Sequence, residues 1–495
     1  MKTVIRDIGL LLHLPAVMAI ASIPVCLVSK EFYAFVPLIA CIFVSLLSGQ
    51  LLYRFVRVDS DTSTRLPLGM LTAACGWLFL PLYCSVPIYL TAKAMPPETI
   101  AETMSNFQNI QNALFEAYSG FTSTGLSMAL KYSEIPHTIQ WWRSLMEWIG
   151  GVGAIALVIA LLEPATEPYK LYNAEGRSKT IGMTLSQTVK NIWWIYLLYT
   201  IASIFLFRIA GMNWWEALNH GMTGIATGGF SVTDDSIGSY GLPAKLAVII
   251  VMVLGSISFS IHYRFFRRRS LAAFWSDNQH QALWLILFGG GGILLLFNRL
   301  SGISVPRIDS LFQWVSAVST CGFGTTSLED WSGEAKFLLT LAMLIGGAAG
   351  STAGGIKLSR FVTVIKAIGW RFKRVALLPH EMMRYQLDGE AMSEAEANRR
   401  VEAAAVLAIL WLTVFTIGVF ILQLYLPQGR SLIDVMFEVA SAISGVGISS
   451  GITSPDLPFP AKLTLICLMW MGRLEIVPVL LLFSLPFKTL SRGNK

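Results

Sequence analysis

The chain has 495 residues, of which 54% are hydrophobic and 14% charged, against about a quarter charged in an ordinary soluble domain. With a mean hydropathy of +0.60 and apolar runs of about 20 residues, this composition excludes a soluble enzyme and indicates a polytopic, all-α integral membrane protein. The net charge of +7 comes from short basic clusters between apolar runs, the pattern of the positive-inside rule rather than of nucleic-acid binding.

In chain order, hydropathy predicts ten transmembrane helices, at 8–28, 33–56, 66–95, 138–163, 183–210, 243–266, 279–299, 335–370, 400–426 and 459–487. A cytoplasmic N-terminus puts most Lys and Arg on the cytoplasmic side, including Arg54, Arg57, Arg65, the cluster from Arg264 to Arg269 and that from Arg371 to Arg374. Both termini are therefore expected in the cytoplasm. The six cysteines form no CxxC, and the six histidines form no HExxH, so neither a disulfide scaffold nor a metal centre is indicated.

Between some of these spans lie polar, Gly-rich segments, and four of them superimpose without gaps on Gly125, Gly229, Gly322 and Gly447. Thirteen residues earlier stand Asn112, Glu216, Asp309 and Asp434; six earlier, Ser119, Thr223, Ser316 and Ser441; one later, Leu126, Phe230, Phe323 and Ile448. Each unit is an apolar span, a short segment and another apolar span. The chain is thus a fourfold pseudo-symmetric repeat behind two extra helices. We delimit it as two N-terminal helices at 1–60 and repeats at 61–165, 180–270, 277–372 and 399–495, with a cytoplasmic loop at 373–398.

Each short segment opens with Asn, Asp or Glu, of which Asn and Asp are good N-caps, and continues with helical periodicity for about half a bilayer. It then runs into TSTGLS (122–127), ATGGFS (226–231), STCGFG (319–324) or SGVGIS (444–449), which favour a non-helical path. Non-helical backbone at membrane depth persists only when buried or lining an aqueous cavity, so four re-entrant pore loops around one axis are expected. Such loops can replace the hydration shell of a monovalent cation with backbone carbonyls; the alternative is that Gly and Ser only let helices pack closely.

Two further features are singled out. Gly346, Gly347, Gly350, Gly354 and Gly355, with Ser351 and Thr352, fall inside the apolar run 335–370, in a stretch that closes with Lys357. Five glycines at about 1 kcal/mol each against alanine should break that helix, although Gly350 and Gly354 also read as a packing face, and Lys357 as a positive-inside anchor. Arg473 lies inside the last apolar run, where a charge needs water or a partner such as Glu475 or Glu438.

The four loop segments, GGAAGSTAGGIK (346–357), WRSLMEWIGGVG (142–153) and MGRLEI (471–476) together resemble the Trk/Ktr/HKT superfamily of potassium transporters, and within it the bacterial TrkH type. The resemblance spans the chain from about residue 66 to the end, and the two preceding helices fit the TrkH type better than the shorter KtrB type. It implies potassium as transported substrate, a homodimer, and a cytoplasmic TrkA-like regulatory subunit that binds nucleotide. It also implies a multi-pass location among lipids of the bacterial plasma (inner) membrane, with no organic cofactor on this chain and no nucleic-acid partner.

Carried over residue by residue, it makes the backbone of Thr124, Gly125, Gly228, Gly229, Cys321, Gly322, Val446 and Gly447 the selectivity filter. Gly125 stands where a serine goes with sodium transport in plant relatives. The segment from Gly346 to Lys357 becomes an intramembrane gate and Arg473 a pore-facing charge beneath the filter. The expected function is gated, channel-like potassium uptake. The alternative is a proton- or sodium-coupled symporter, for which Glu116, Glu147 and Glu438 are the candidate acids; a membrane enzyme is disfavoured because no nucleophile and base recur together.

Overall fold

The computed structural model describes residues 2–55, 66–153, 185–302, 305–329, 331–378, 383–427 and 429–492. The fold is predominantly helical, as an apolar chain must be when each backbone group has to be satisfied within its own segment. Among the described residues the sheet is a single hairpin, Tyr385–Leu387 against Glu390–Met392, turned by Asp388 and Gly389, both at positive φ.

Among the described residues, six stretches are long and apolar enough to cross a membrane: Lys2–Val28, Phe32–Arg54, Pro67–Ala94, Gln187–Ile209, Asn278–Leu300 and Glu394–Tyr425. Leu242–Ser256 with Phe259–Arg268, and Phe459–Arg473 with Val477–Ser484, qualify only as pairs bent by 100° and 111°. By length and composition the count is six, or eight with the bent pairs, against the ten expected. The run expected at 335–370 is split into Gly333–Ile345 and Leu358–Ala376. The run expected at 138–163 is helical to Val152, and its part from 154 onward lies outside the described residues, as do Arg57, Arg65 and His380.

The physical reason is shared by three of these helices, while Leu242–Ser256 ends in extended backbone at Ile257. Hydropathy sees a continuous apolar run, whereas the backbone turns where glycine or a positive φ intervenes: Gly153 at φ 98°, Gly346 at 70°, and Glu475 and Ile476 at 58° and 70°. Each helix that follows a glycine loop therefore stops after 13 to 16 residues. At 1.5 Å per residue that is roughly 20–24 Å, short of a full span.

The four short helices are Ile110–Phe121, Trp214–Ile225, Arg307–Ser319 and Leu432–Ser444. They sit at the centre of the molecule, where Glu116, His220, Gln313 and Glu438 are all fully buried. The long flanking helices present bare apolar faces outward, with Phe43 65% exposed and Phe420 68% exposed, as lipid-facing surfaces require.

One expectation about these helices is corrected. Asn112, Glu216, Asp309 and Asp434 are not caps; the N-cap residues are Asn109, Asn213, Pro306 and Ser431, three positions earlier. The aligned residues stand in the third helical position, where the carboxylates of Glu216, Asp309 and Asp434 still meet the positive helix end and where Glu216 closes a capping box with Asn213.

Candidate functional site

The four short helices end alike. Two residues before each anchor glycine, Ser123, Thr227, Thr320 and Gly445 adopt left-handed φ values of 54°, 51°, 54° and 62°. The following amides, of Thr124, Gly228, Cys321 and Val446, donate to the carbonyls of Ser119, Thr223, Ser316 and Ser441 at 2.8 to 3.0 Å. The left-handed residues themselves donate to Gly120, Gly224, Ala317 and Ala442. That pair of bonds is a Schellman cap, and it turns the chain sharply off the helix axis at the same place four times. Only one of the four left-handed positions is glycine, and two are the β-branched Thr227 and Thr320, so the turn is held against an intrinsic preference.

The anchor glycines come next, at φ 92°, 85°, 90° and 94°. A Cβ on Gly125 would lie 2.1 Å from the carbonyl oxygen of Gly228; on Gly229, 2.4 Å from that of Cys321; on Gly322, 2.0 Å from that of Val446; and on Gly447, 2.2 Å from that of Thr124. Each loop thus presses its glycine backbone on the carbonyl just before the glycine of the next loop, and the fourth closes on the first. The eight residues expected to form the filter backbone are brought together as a closed ring. No side chain larger than hydrogen fits at the four contacts.

Struts behind the ring hold it. Glu116 accepts from Ser127 Oγ and Met128 N at 2.8 Å each and from Arg143 Nε at 2.7 Å. His220 is 2.9 Å from Ser231 Oγ, Gln313 Nε2 donates to Thr326 O at 2.9 Å, and Glu438 accepts from Ser449 Oγ, Ser450 N and Thr453 N. In every repeat this position ties the short helix to the strand of chain leaving its glycine. Two of the acids considered for ion coupling, Glu116 and Glu438, are therefore committed to loop donors.

The helices after the loops clasp the next repeat. Lys245 Nζ donates to Asp309 at 2.7 Å, Lys336 Nζ to Asp434 at 2.8 Å, and Lys462 Nζ to Asn112 at 2.6 Å. In the first repeat Gln140 takes the lysine's place and accepts from Trp215 Nε1 at 2.6 Å.

Beneath the ring, the chain from Gly346 to Lys357 crosses under the ends of three short helices. Thr352 Oγ1 donates to Ile225 O and Gly255 O at 3.1 and 2.9 Å, and Gly354 N donates to Thr320 Oγ1 at 2.6 Å. A Cβ on Gly354 would lie 1.8 Å from Ser444 O. Phe259 N donates to Gly350 O and Ala348 N to Ser256 O, which joins the segment to the bend in the second repeat. Ser351, Gly350, Thr352, Gly354 and Lys357 close the lower side of a cavity of about 50 Å³ whose upper side is Thr122, Ser123, Ser444 and Gly445. That volume holds a few waters. Gly346, Gly347 and Gly355 sit at the ends of the segment, where Ile356 N donates to Leu344 O and Leu358 N to Gly347 O. Lys357 Nζ bonds to Ala353 O.

Arg473 also lines this cavity, at the C-terminal end of its helix. Its guanidinium donates to Gly151 O at 2.9 Å and to Gly150 O, with its carbon 5.1 Å from the centre of the Trp77 ring. Glu475 pairs with Arg360 instead. Among the described residues no group of three His, Cys, Asp or Glu side chains is placed to hold a metal ion.

Residues 38–492 match the TrkH family, described as cation transport protein. The chain belongs to the TrkH family. It is 33% identical to an uncharacterized cation transporter of Methanocaldococcus jannaschii over 88% of this chain and 86% of that one. It is 30% identical to the Trk system potassium uptake protein TrkH of Vibrio parahaemolyticus over 98% and 99% of the two chains. The crystal structure of that potassium transporter superposes with a TM-score of 0.82, covering 98% and 99% of the chains at 27% identity.

The gapless register of the four loops does not take in the helices that follow them. A second register, shifted by one residue against the loop glycines in the second and third repeats, runs there: from Gln140, Lys245, Lys336 and Lys462, seven residues on stand Glu147, Met252, Met343 and Met469, and ten on stand Gly150, Gly255, Gly346 and Gly472. The second glycine column lies where the helices meet the loops, with a Cβ on Gly150 or Gly472 falling 2.0 or 1.7 Å from the carbonyls of Phe121 or Ile443. Those columns were legible as a repeat within apolar runs.

Proposed function

We propose that this chain is a potassium uptake pore in which cations pass along the axis of the four glycine loops. The observation that carries this reading is the closed ring of glycine-to-carbonyl contacts, in which four capped half-helices present backbone to one axis. The half-helices aim their negative C-terminal ends at the same region, which favours a cation. Relatives named as potassium uptake proteins align along the whole chain, which supports potassium as the substrate.

The segment from Gly346 to Lys357 is the gate in this reading, since it lies across the path under the filter, and Arg473 sets a positive charge beside the same cavity. The loops and lysine clasps face outward, and the bent helix ends, Arg264 to Arg269 and Arg371 to Arg374, face the cytoplasm. The relatives' designation as Trk system proteins supports a cytoplasmic nucleotide-binding regulatory subunit acting on the gate of a homodimer in the bacterial inner membrane. Purified protein in liposomes tests the reading. Potassium flux whose reversal potential follows potassium alone is expected; a reversal potential that shifts with pH would replace the pore with a proton-coupled symporter.

A further inference from the structure

The fourfold ring is broken at one place by chemistry. Seven residues after the clasp, three repeats carry methionine and the first carries Glu147, which is fully buried. Its carboxylate reaches across to the second loop and accepts from the amide of Phe230, at 3.2 Å to Oε1 and 3.0 Å to Oε2. The same carboxylate fills the space that a side chain on Gly228 would need: a Cβ there would lie 2.4 Å from its Cδ. The other loops have Thr124, Cys321 and Val446 at that position. Among the described residues, the equivalent amides of Leu126 and Ile448 have no protein acceptor, and that of Phe323 faces the Cys321 sulfur of its own loop.

We propose that Glu147 is a positioning residue for ion selection, acting through the Gly229–Phe230 peptide of the second loop. This rests on the reading of the loops as a potassium filter. In a planar trans peptide the N–H and C=O point in opposite directions. Glu147 draws the Phe230 N–H toward its own helix, so the Gly229 carbonyl is turned away from that helix, into the ring. The far end of Phe230 is fixed as well, because Thr223 Oγ1 donates to its carbonyl at 2.9 Å. The second loop has the least side-chain bulk of the four, with Gly228 followed by Gly229, and two adjacent glycines leave a peptide the most free to rotate. Glu147 supplies from a neighbouring helix the restraint that a local side chain supplies in the other three loops. It acts as a hydrogen-bond acceptor at a fixed reach, which separates this role from that of a buried charge.

The test compares potassium and sodium flux into liposomes for the full chain and three variants whose melting temperature and oligomer size are measured on the same preparations. Glu147→Gln keeps an acceptor oxygen at the same reach, and its potassium to sodium ratio should stay within about twofold of the parent. Glu147→Asp keeps the carboxyl group but withdraws it by one methylene, and Glu147→Met matches the other repeats. Both should lower the ratio by about fivefold or more. If Glu147→Met does not accumulate, the Asp and Gln variants decide alone. A parental ratio in Glu147→Asp, or a loss in Glu147→Gln as large as in Glu147→Asp, would overturn the proposal, as would a Glu147→Gln chain that does not fold. Absence of potassium flux in the parent would instead remove the pore reading itself.

Discussion

Lys336 Nζ, on the helix after the third loop, lies 2.8 Å from Asp434 Oδ1 on the fourth short helix, and both side chains are largely withdrawn from solvent. Lys336 also donates to Glu329 O at 2.9 Å, so the ammonium is held by two acceptors. Removing one member of a largely buried ion pair leaves the other without its counter-charge, at a cost of about 3 kcal/mol. Lys336→Met should lower the melting temperature measured in detergent. Lys336→Met with Asp434→Leu should recover part of the loss; a double variant less stable than the single one would show that the pair is not coupled.

At the ring, Gly125→Ser should lower the potassium to sodium flux ratio, because the new Cβ meets the Gly228 carbonyl, a backbone atom that cannot swing aside. Gly120→Ser should do less. Its Cβ would meet the Met146 methyl and the Phe230 ring edge, both at 2.9 Å, and both are side chains that can give way. Equal losses from the two substitutions would point to packing rather than ion contact.

The segment from Gly346 to Lys357 is held by hydroxyls. Thr352→Val keeps the volume and removes the hydroxyl shared by Ile225 O and Gly255 O; Gly255 O keeps the Thr352 amide at 3.3 Å, so the loss falls on Ile225 O, at about 1–3 kcal/mol. Basal potassium flux without the regulator should rise. Deletion within 346–355 should raise it further and make it less dependent on the regulator. Flux that stays low in well-folded deletion variants would leave the segment a packing element.

Arg473→Gln should increase potassium flux at saturating concentration. Two unit charges about 6 Å apart at an effective dielectric of about 20 interact by roughly 3 kcal/mol. A third of that, after screening by water, changes a crossing rate about fivefold. The guanidinium also braces Gly150 O and Gly151 O, so melting temperature must be read on the same sample. Reduced stability with no gain in flux would make Arg473 a brace.

The fourfold repeat was legible because its glycines face backbone: a position that tolerates no Cβ keeps its residue type whatever surrounds it, and Gly125, Gly229, Gly322 and Gly447 aligned without gaps. The acid column was found and given the wrong local role. Asn, Asp and Glu suit both the cap and the third helical position, and only the side-chain bonds of Asn109, Asn213 and Ser431 distinguish them. The breaks at Ile257 and Glu475 were invisible to hydropathy, since both lie in apolar surroundings and depend on what the chain meets in space. Glu147 was seen only as a candidate acid. Its partner lies 83 residues away, a distance that periodicity cannot bridge.

Because the ring of loops closes from fourth to first within one polypeptide, its quarters are free to differ. In an assembly of four identical subunits, any replacement at the ring is made four times over, and a buried carboxyl group behind it would arrive as four. Here Glu147 stands once, opposite three methionines, and Gly228 stands once, among Thr124, Cys321 and Val446. Covalent linkage thus lets one quarter change by itself, while the other three keep the ring closed.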